Sequence, residues 1–327
     1  MSSDPFSDDL IRVADDPEAM ERAAYLLDKG ECVVAPTETV YGLTADATNG
    51  EAVAKIFAIK GRPAFNPLIC HVHGLELAEQ LARFGDVERK LAAAFWPGPL
   101  TIVAPMHPDS PVHALAMAGL ETIGLRQPVG VMAELSARLD RPLAAPSANL
   151  SGKVSPTSAG HVAASLGDRV SLILDGGSTS IGVESTIVTV EPDRIVLLRP
   201  GGISREAIAG VSGLPVETKA ETASISAPGQ MTSHYAPFGT VRLNAASVEP
   251  HEWLIAFGPE RLRGEEHAAG VVNLSPSGSL EEAASNLFSL LALLDRPDVQ
   301  TIAVAPIPSE GLGEAINDRL TRAAAPR

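Results

Sequence analysis

Behind Asp16-Pro17, apolar residues fall at helical spacing, with Ala19, Ala23, Leu26 and Leu27 on one face and Gly30 after them. An aspartate cap, a proline in the first turn and a closing glycine bound a helix at both ends. The period then changes. CVVAP (32–36) is a continuous apolar run of strand length, and residues 50–59 return to helical spacing with Val53, Ile56 and Phe57 inward. LICHV (68–72), LTIVAP (100–105), TIGLR (122–126), PLAAP (142–146), VSLILD (170–175), STIVTV (185–190) and IVLLRP (195–200) read as further strands. Helical patterns at 129–139 and 158–166 lie between some of them. This alternation predicts an α/β architecture on a mixed sheet.

Periodicity dissolves between residues 209 and 239, in a stretch rich in Thr, Ser, Pro and Gly that reads as a linker. A structureless connection of that length is commonly functional. A second, smaller α/β unit follows. EWLIAF (252–257), GVVNLS (270–275) and TIAVAP (301–306) read as strands, and residues 279–294 as an amphipathic helix burying Leu280, Ala283, Leu287, Leu290, Leu291 and Leu294. Residues 314–324 read as a last helix. The predicted organisation is one domain over 10–212, a linker over 213–239 and a second domain over 240–327.

Composition sharpens this picture in three ways. A chain of 327 residues suits two cores, and 45% hydrophobic but only 4% aromatic content means cores of Ala, Val, Leu and Ile. A net charge of -15 argues against a general nucleic-acid or anionic-membrane binder, while leaving room for a local cationic pocket. Cys32 and Cys70 form no CxxC pair, which fits a reducing compartment rather than a disulfide framework or zinc ribbon. MSSDPFSDDL lacks the character of a signal peptide, and no apolar run approaches the roughly 18 residues of a membrane span. The expectation is a cytoplasmic protein with no membrane association.

The polar residues cluster at strand ends, where open α/β sheets bind ligands. APTETVYGLTADA (35–47) offers Thr37 and Thr39, although Thr37 reads equally as the cap of the next turn. KGRPAFNPL (60–68) sets Lys60 and Arg62 on a proline-stiffened loop, a pairing suited to polyphosphate. His71 and His73 make an HxH without a third ligand at metal spacing, so a structural or hydrogen-bonding histidine is favoured over a zinc site. Arg126 ends a strand, facing either an anion or a carboxylate. APSANLSGKVSPT (145–157) gathers Ser147, Asn149, Ser151, Gly152, Ser155 and Thr157 around Lys153, the makings of an anion nest, but lacks the first glycine of a P-loop. VESTIV (183–188) and LLRPGGIS (197–204) add Ser185, Arg199 and a glycine turn into a helix. No GxSxG elbow and no GxGxxG fingerprint occurs, which ranks covalent catalysis and hydride transfer low.

PTETVYGL, KGRPAFNPLICHV, WPGPLTIV, TIGLRQP, PSANLSGKVSPT, ESTIV and RPGGIS stand in one order, followed by APGQMTSHYAP in the linker. In that order the sequence resembles the YrdC-like proteins, specifically the two-domain L-threonylcarbamoyladenylate synthases. The resemblance implies a YrdC-like twisted mixed sheet with flanking helices, followed by a Rossmann-like C-terminal domain. It implies that L-threonine, bicarbonate or CO2, and ATP with Mg2+ become L-threonylcarbamoyl-AMP and pyrophosphate, and that other proteins transfer the group to tRNA. Under it, Lys60, Arg62, Ser147 and Asn149 form the catalytic signature. Thr122, Ser155, Arg199 and Tyr235 join Lys60, Arg62 and Asn149 around the nucleotide. Thr37, His71, Arg126, Ser147 and Ser185 surround the threonine or carbamate. No protein-held metal and no stable nucleic-acid binding is implied. The linker is expected to cross the site as a lid with Tyr235 on the nucleotide, though Gln230, Met231, Thr232 and Ser233 depart from the commoner PGMxYxHY wording. A carbamoyl-transfer enzyme and a non-enzymatic RNA-binding module are the competing readings.

Overall fold

The structure is a computed structural model that describes residues 9–219, 227–229 and 233–326. Gln230, Met231 and Thr232 of the expected lid lie outside the described residues.

Eleven strands form one sheet: β1 (Ile11–Val13), β2 (Val33–Ala35), β3 (Gly42–Asp46), β4 (Ile69–His71), β5 (Leu100–Pro105), β6 (Thr122–Arg126), β7 (Leu143–Ala144), β8 (Ile173–Asp175), β9 (Thr186–Val190), β10 (Ile195–Arg199) and β11 (Val216–Thr218). They lie in the order β1-β8-β2-β3-β7-β4-β6-β5-β9-β10-β11, with parallel and antiparallel neighbours mixed. Seven helices accompany them: α1 (Pro17–Asp28), α2 (Gly50–Lys60), α3 (Leu75–Leu81), α4 (Asp86–Phe95), α5 (Val131–Leu139), α6 (Ala159–Leu166) and α7 (Arg205–Ser212). The main core lies on the face covered by α2, α3, α4, α6 and α7, with Ile56, Leu77, Leu91, Val162 and Ile208 meeting Val34, Leu43, Ile102 and Leu125 of the strands. Helices α1 and α5 cover part of the opposite face.

The second unit is a four-stranded parallel sheet, β12 (Thr240–Arg242), β13 (Trp253–Ala256), β14 (Gly270–Asn273) and β15 (Thr301–Val304), in the order β12-β15-β13-β14. Helices α8 (Leu280–Leu294) and α9 (Leu312–Ala324) pack on it. Its core also takes in Val40, Val154 and Val183 of the first unit. The cap chemistry read at Asp16 and Ser204 holds, each accepting a first-turn N–H of α1 and α7. Ser279, expected as the first residue of its helix, caps α8 in the same way.

Two readings change. Residues 42–46, inside the polar cluster over 35–47 and assigned no element by the sequence pattern, form strand β3. Every residue of β3 is buried, so the polar alternation that marks a half-exposed strand is missing. Residues 216–218, inside the expected linker, form edge strand β11 beside β10. A run of three residues is too short to show a period.

Candidate anion-binding cleft

Strand alternation sorts the side chains of the central strands between core and cleft. In β4, Cys70 enters the main core while Ile69 and His71 face away from it into a cleft. In β6, Ile123 and Leu125 enter the core and Arg126 turns to the cleft. Strand β10 breaks the rule. Leu197 is a core residue, so alternation alone would send Arg199 to the core as well. A register shift against β9 inserts Leu198 as an extra residue, and Arg199 lines the cleft instead. The cleft holds about 600 Å³ of empty space counted to its mouth, a volume suited to a small substrate.

Three arginines line it. Arg62 follows Gly61, whose left-handed φ of 60° ends α2. Its Nε donates to the Asn66 carbonyl at 3.2 Å and its Nη2 to the Pro67 carbonyl at 2.8 Å, so the proline loop holds its own cation. Arg199 donates from Nε and Nη2 to the Ser185 carbonyl at 3.1 and 2.8 Å, and from Nη2 to Ser185 Oγ at 3.1 Å. Arg126 pairs with buried Glu38 at 2.7 Å and donates to the Gly98 carbonyl at 3.1 Å. Among the described residues no carboxylate stands at ion-pair distance from Arg62 or Arg199. Burial, with neighbouring like charges, lowers both guanidinium pKa values to about 10. A buried charge with no partner is costly, and an anionic ligand is the natural counter-charge.

The polar rim is equally constrained. Thr37 Oγ1 accepts from the Thr39 and Val40 N–H groups and donates to the Val40 carbonyl at 2.7 Å, so it shapes its turn and also lines the cleft. Ser147, Ser185 and Tyr235 line it too. Gly201 presses the next turn onto this wall: a Cβ there would lie 2.3 Å from the Glu184 carbonyl and the Thr186 nitrogen. Gly229, at a φ of +80°, seats the linker against Arg199, since a Cβ there would come within 2.8 Å of Arg199 Cδ.

The cleft therefore brings together Thr37, Arg62, His71, Arg126, Ser147, Ser185, Arg199 and Tyr235. Four other expected residues lie outside its lining. Lys60 is the last residue of α2 rather than a loop residue, and its buried Nζ donates to the Ser147 and Asn149 carbonyls, each at 2.5 Å. Asn149 Nδ2 donates to the Leu150 and Lys153 carbonyls, and its buried Oδ1 has no partner among the described residues. Ser155 Oγ donates to Glu184 at 2.6 Å. Thr122 lines a smaller adjoining cavity, which shares Ile69 and Pro228 with the main cleft. Glu184 and His234 line the main cleft without having been singled out. Glu184 stood in a quoted motif, but a carboxylate runs against an anion site; His234 carried no signal beyond its place in the linker.

His71 and His234 are buried, and burial pushes each imidazole down to about 3, helped by Arg126 at His71 and opposed by Glu184 at His234. Both stay neutral in the fold while the unfolded chain takes up a proton near its ordinary value. Stability is therefore complete above about pH 6.5 and is lost as pH falls towards 3, by about 2 kcal/mol per histidine at pH 5. Denaturant titrations at pH 7.5 and 5 should show this loss, and His71→Gln should remove about half of it. An unchanged pH slope in that variant would place the charged form in the fold.

A mixed sheet whose cleft face carries buried Arg199 and half-buried Arg62 among hydroxyls, neither ion-paired among the described residues, has the chemistry of an anion pocket. Comparison with known proteins gives that class a family. Residues 25–201 match the Sua5, YciO and YrdC family model, described as "Telomere recombination", and residues 203–325 match "Threonylcarbamoyl-AMP synthase, C-terminal domain". The chain belongs to the Sua5, YciO and YrdC family, and to its two-domain branch. It is 40% identical to a Bacillus subtilis protein named threonylcarbamoyl-AMP synthase, across 95% of this chain and 94% of that one. The crystal structure of Pyrococcus abyssi Sua5 complexed with L-threonine superimposes with a TM-score of 0.85 at 37% identity, across 97% of this chain and 98% of that one. HypF in a phosphate- and nucleotide-bound form shares the fold alone, at 16% identity and a TM-score of 0.52 across 57% of this chain and 30% of that one.

Proposed function

We propose that this protein is an L-threonylcarbamoyl-AMP synthase, an enzyme of the nucleotidyltransferase class. The observation that carries the reading is the pair of cleft arginines, half-buried Arg62 and buried Arg199, left without carboxylate partners among the described residues in a cleft that also presents hydroxyls and a neutral histidine. A full-length relative whose structure is described as complexed with L-threonine supports the choice of amino acid.

The chemistry fits such a cleft. The threonine amine captures CO2 as a carbamate and releases a proton. A carbamate oxygen then attacks the α-phosphorus of ATP, a P–O bond forms, and the bond to pyrophosphate breaks. Both reactants are anions and repel one another. Arg62 and Arg199 offset that repulsion and stabilise charge on the transferring and leaving groups. Positioning does the rest, since orienting two partners can save about 7–11 kcal/mol of barrier. Thr37, His71, Arg126, Ser147 and Ser185 are assigned to the threonine and carbamate. Thr122, in the adjoining cavity beside Pro228, is assigned to the nucleoside end. Lys60, Asn149 and Ser155 act from behind the wall through Ser147 and Glu184, and Tyr235 closes the site from the linker.

Among the described residues no three His, Cys, Asp or Glu side chains stand together as metal ligands. The one lining carboxylate, Glu184, is committed to Ser155 and Arg319. We therefore assign Mg2+ to the substrate, as MgATP held by phosphates and water, and derive no step through it. The product would pass to proteins that place the threonylcarbamoyl group on tRNA, which sets the work in the cytoplasm. Among the described residues no helix is long and apolar enough to cross a membrane.

The test is pyrophosphate release from MgATP with threonine and bicarbonate together, each omitted in turn, and serine in place of threonine. Release requiring both is expected. ATP turnover indifferent to threonine, or carbamoyl phosphate accepted instead, would move the function to carbamoyl transfer. A folded protein without turnover that binds RNA in a salt-dependent way would favour the RNA-binding alternative.

A further inference from the structure

The C-terminal unit places a charged side chain against a carboxylate of the cleft. Arg319 of α9 has no exposed surface. Its Nε donates to Glu184 Oε2 at 2.9 Å and its Nη1 to Asp318 Oδ2 at 2.7 Å. Its guanidinium carbon lies 5.6 Å from the centre of the Tyr235 ring, and that ring packs 5.2 Å from Phe288 of α8. Glu184 is the sole carboxylate among the described residues lining the cleft, in company with Arg62, Arg126 and Arg199.

An apolar side chain would pack α9 at no electrostatic cost, whereas a fully buried arginine must be repaid by its partners. The partner here is a cleft residue. Glu184 also feels the charge of Arg199. Left without Arg319, Glu184 would turn to Arg199, draw it off Ser185 and cancel a charge that the ligand needs.

We propose that Arg319 is a positioning residue of the cleft, supplied by the C-terminal domain. By taking up the charge of Glu184 and backing Tyr235, it leaves Arg199 to the anionic ligand, so the four-stranded unit completes the site. The inference rests on the synthase reading.

Glu184 is surrounded by Arg319, with Asp318 behind it, from α9, Arg199 from β10, Lys60 from α2, and His234 and Tyr235 from the linker. Burial alone would raise its pKa, but Arg319, Arg199 and the Ser155 hydroxyl hold it at about 2. Removing Arg319 removes the largest opposing charge, so the carboxyl should titrate nearer neutrality. Protonated, it leaves Arg199 alone; ionised, it captures it.

The experiment compares full-length wild type with Arg319→Gln, Arg319→Lys and the double variant Arg319→Gln/Glu184→Gln, from pH 5.5 to 8.5. Arg319→Gln should lose about 10²-fold in kcat/KM at pH 8, the scale of a misplaced reacting group. That loss should shrink as pH falls, a dependence wild type lacks. Arg319→Lys and the double variant should each recover most of it. If Arg319→Gln fails to fold, these two carry the test. Calorimetric binding of α,β-methylene-ATP to the same set should follow the same order, giving a readout independent of turnover. Wild-type kcat/KM in folded Arg319→Gln, or a pH-independent loss that Glu184→Gln does not relieve, would reduce Arg319 to packing and overturn the proposal. A wild type without threonine-dependent release would instead count against the synthase reading, with the binding series still judging Arg319.

Discussion

Arg62→Ala is expected to lower kcat/KM for threonine-dependent pyrophosphate release by about 10³-fold while the protein stays folded. The guanidinium has no carboxylate partner among the described residues. Its two hydrogen bonds run to the carbonyls of Asn66 and Pro67 in its own loop. Alanine therefore strands no buried counter-charge, and the relief of an unpaired half-buried cation offsets part of the lost hydrogen bonding. Activity has no such compensation, because Arg62 is one of two lining arginines not already neutralised. Arg62→Lys should recover only a small part, since an ammonium cannot reach two acceptors in the fixed fork of a guanidinium. Steady-state kinetics beside thermal unfolding decides it. A folded Arg62→Ala enzyme within tenfold of wild type would remove Arg62 from the reaction.

Lys60→Met should act in the opposite proportion, with a large effect on stability. Its ammonium holds the Ser147 and Asn149 carbonyls from beneath the turn. Orphaning buried acceptors costs about 1–3 kcal/mol each, and removal of a desolvated charge returns part of that. The net loss should be about 2 kcal/mol, or about 4–8 °C in Tm for a domain of this size. Turnover should fall too, because Ser147 lines the cleft and loses its support. A variant with unchanged Tm and abolished turnover would show that the ammonium serves the ligand directly, and the turn would then need another anchor.

Much of this architecture was legible in the chain. Helix starts at Asp16-Pro17 and Ser204 rest on local cap chemistry, which sequence displays in full. The pocket strands were legible because Cys70 and Leu125 alternate with His71 and Arg126. What stayed hidden has particular causes. Strand β3 is buried on both faces and shows no alternation. Strand β11 has three residues. Glu184 lines the arginine-rich cleft in company with a remote cation, Arg319, that pairs with it. Arg319 lies 135 positions from Glu184, on a helix whose pattern predicts nothing beyond packing. Sequence showed Lys60 and Arg62 as a pair of like residues. The fold gives them different work, since one ends a helix and points inward while the other follows a left-handed glycine and lines the cleft.

The extra residue in β10 has a consequence for how this cleft tolerates change. Arg199 faces the cleft because of one extra residue, not because of any residue type nearby. Deleting Leu198 would remove the bulge and still leave Arg199 opposite Ile187 on the cleft side, because it would then follow Leu197 directly. Substitutions along β10 can drift so long as the bulge holds, whereas one that flattened the bulge with Leu198 still in place would turn Arg199 towards the main core. The bulge is thus a sharper constraint on this strand than the identity of its residues.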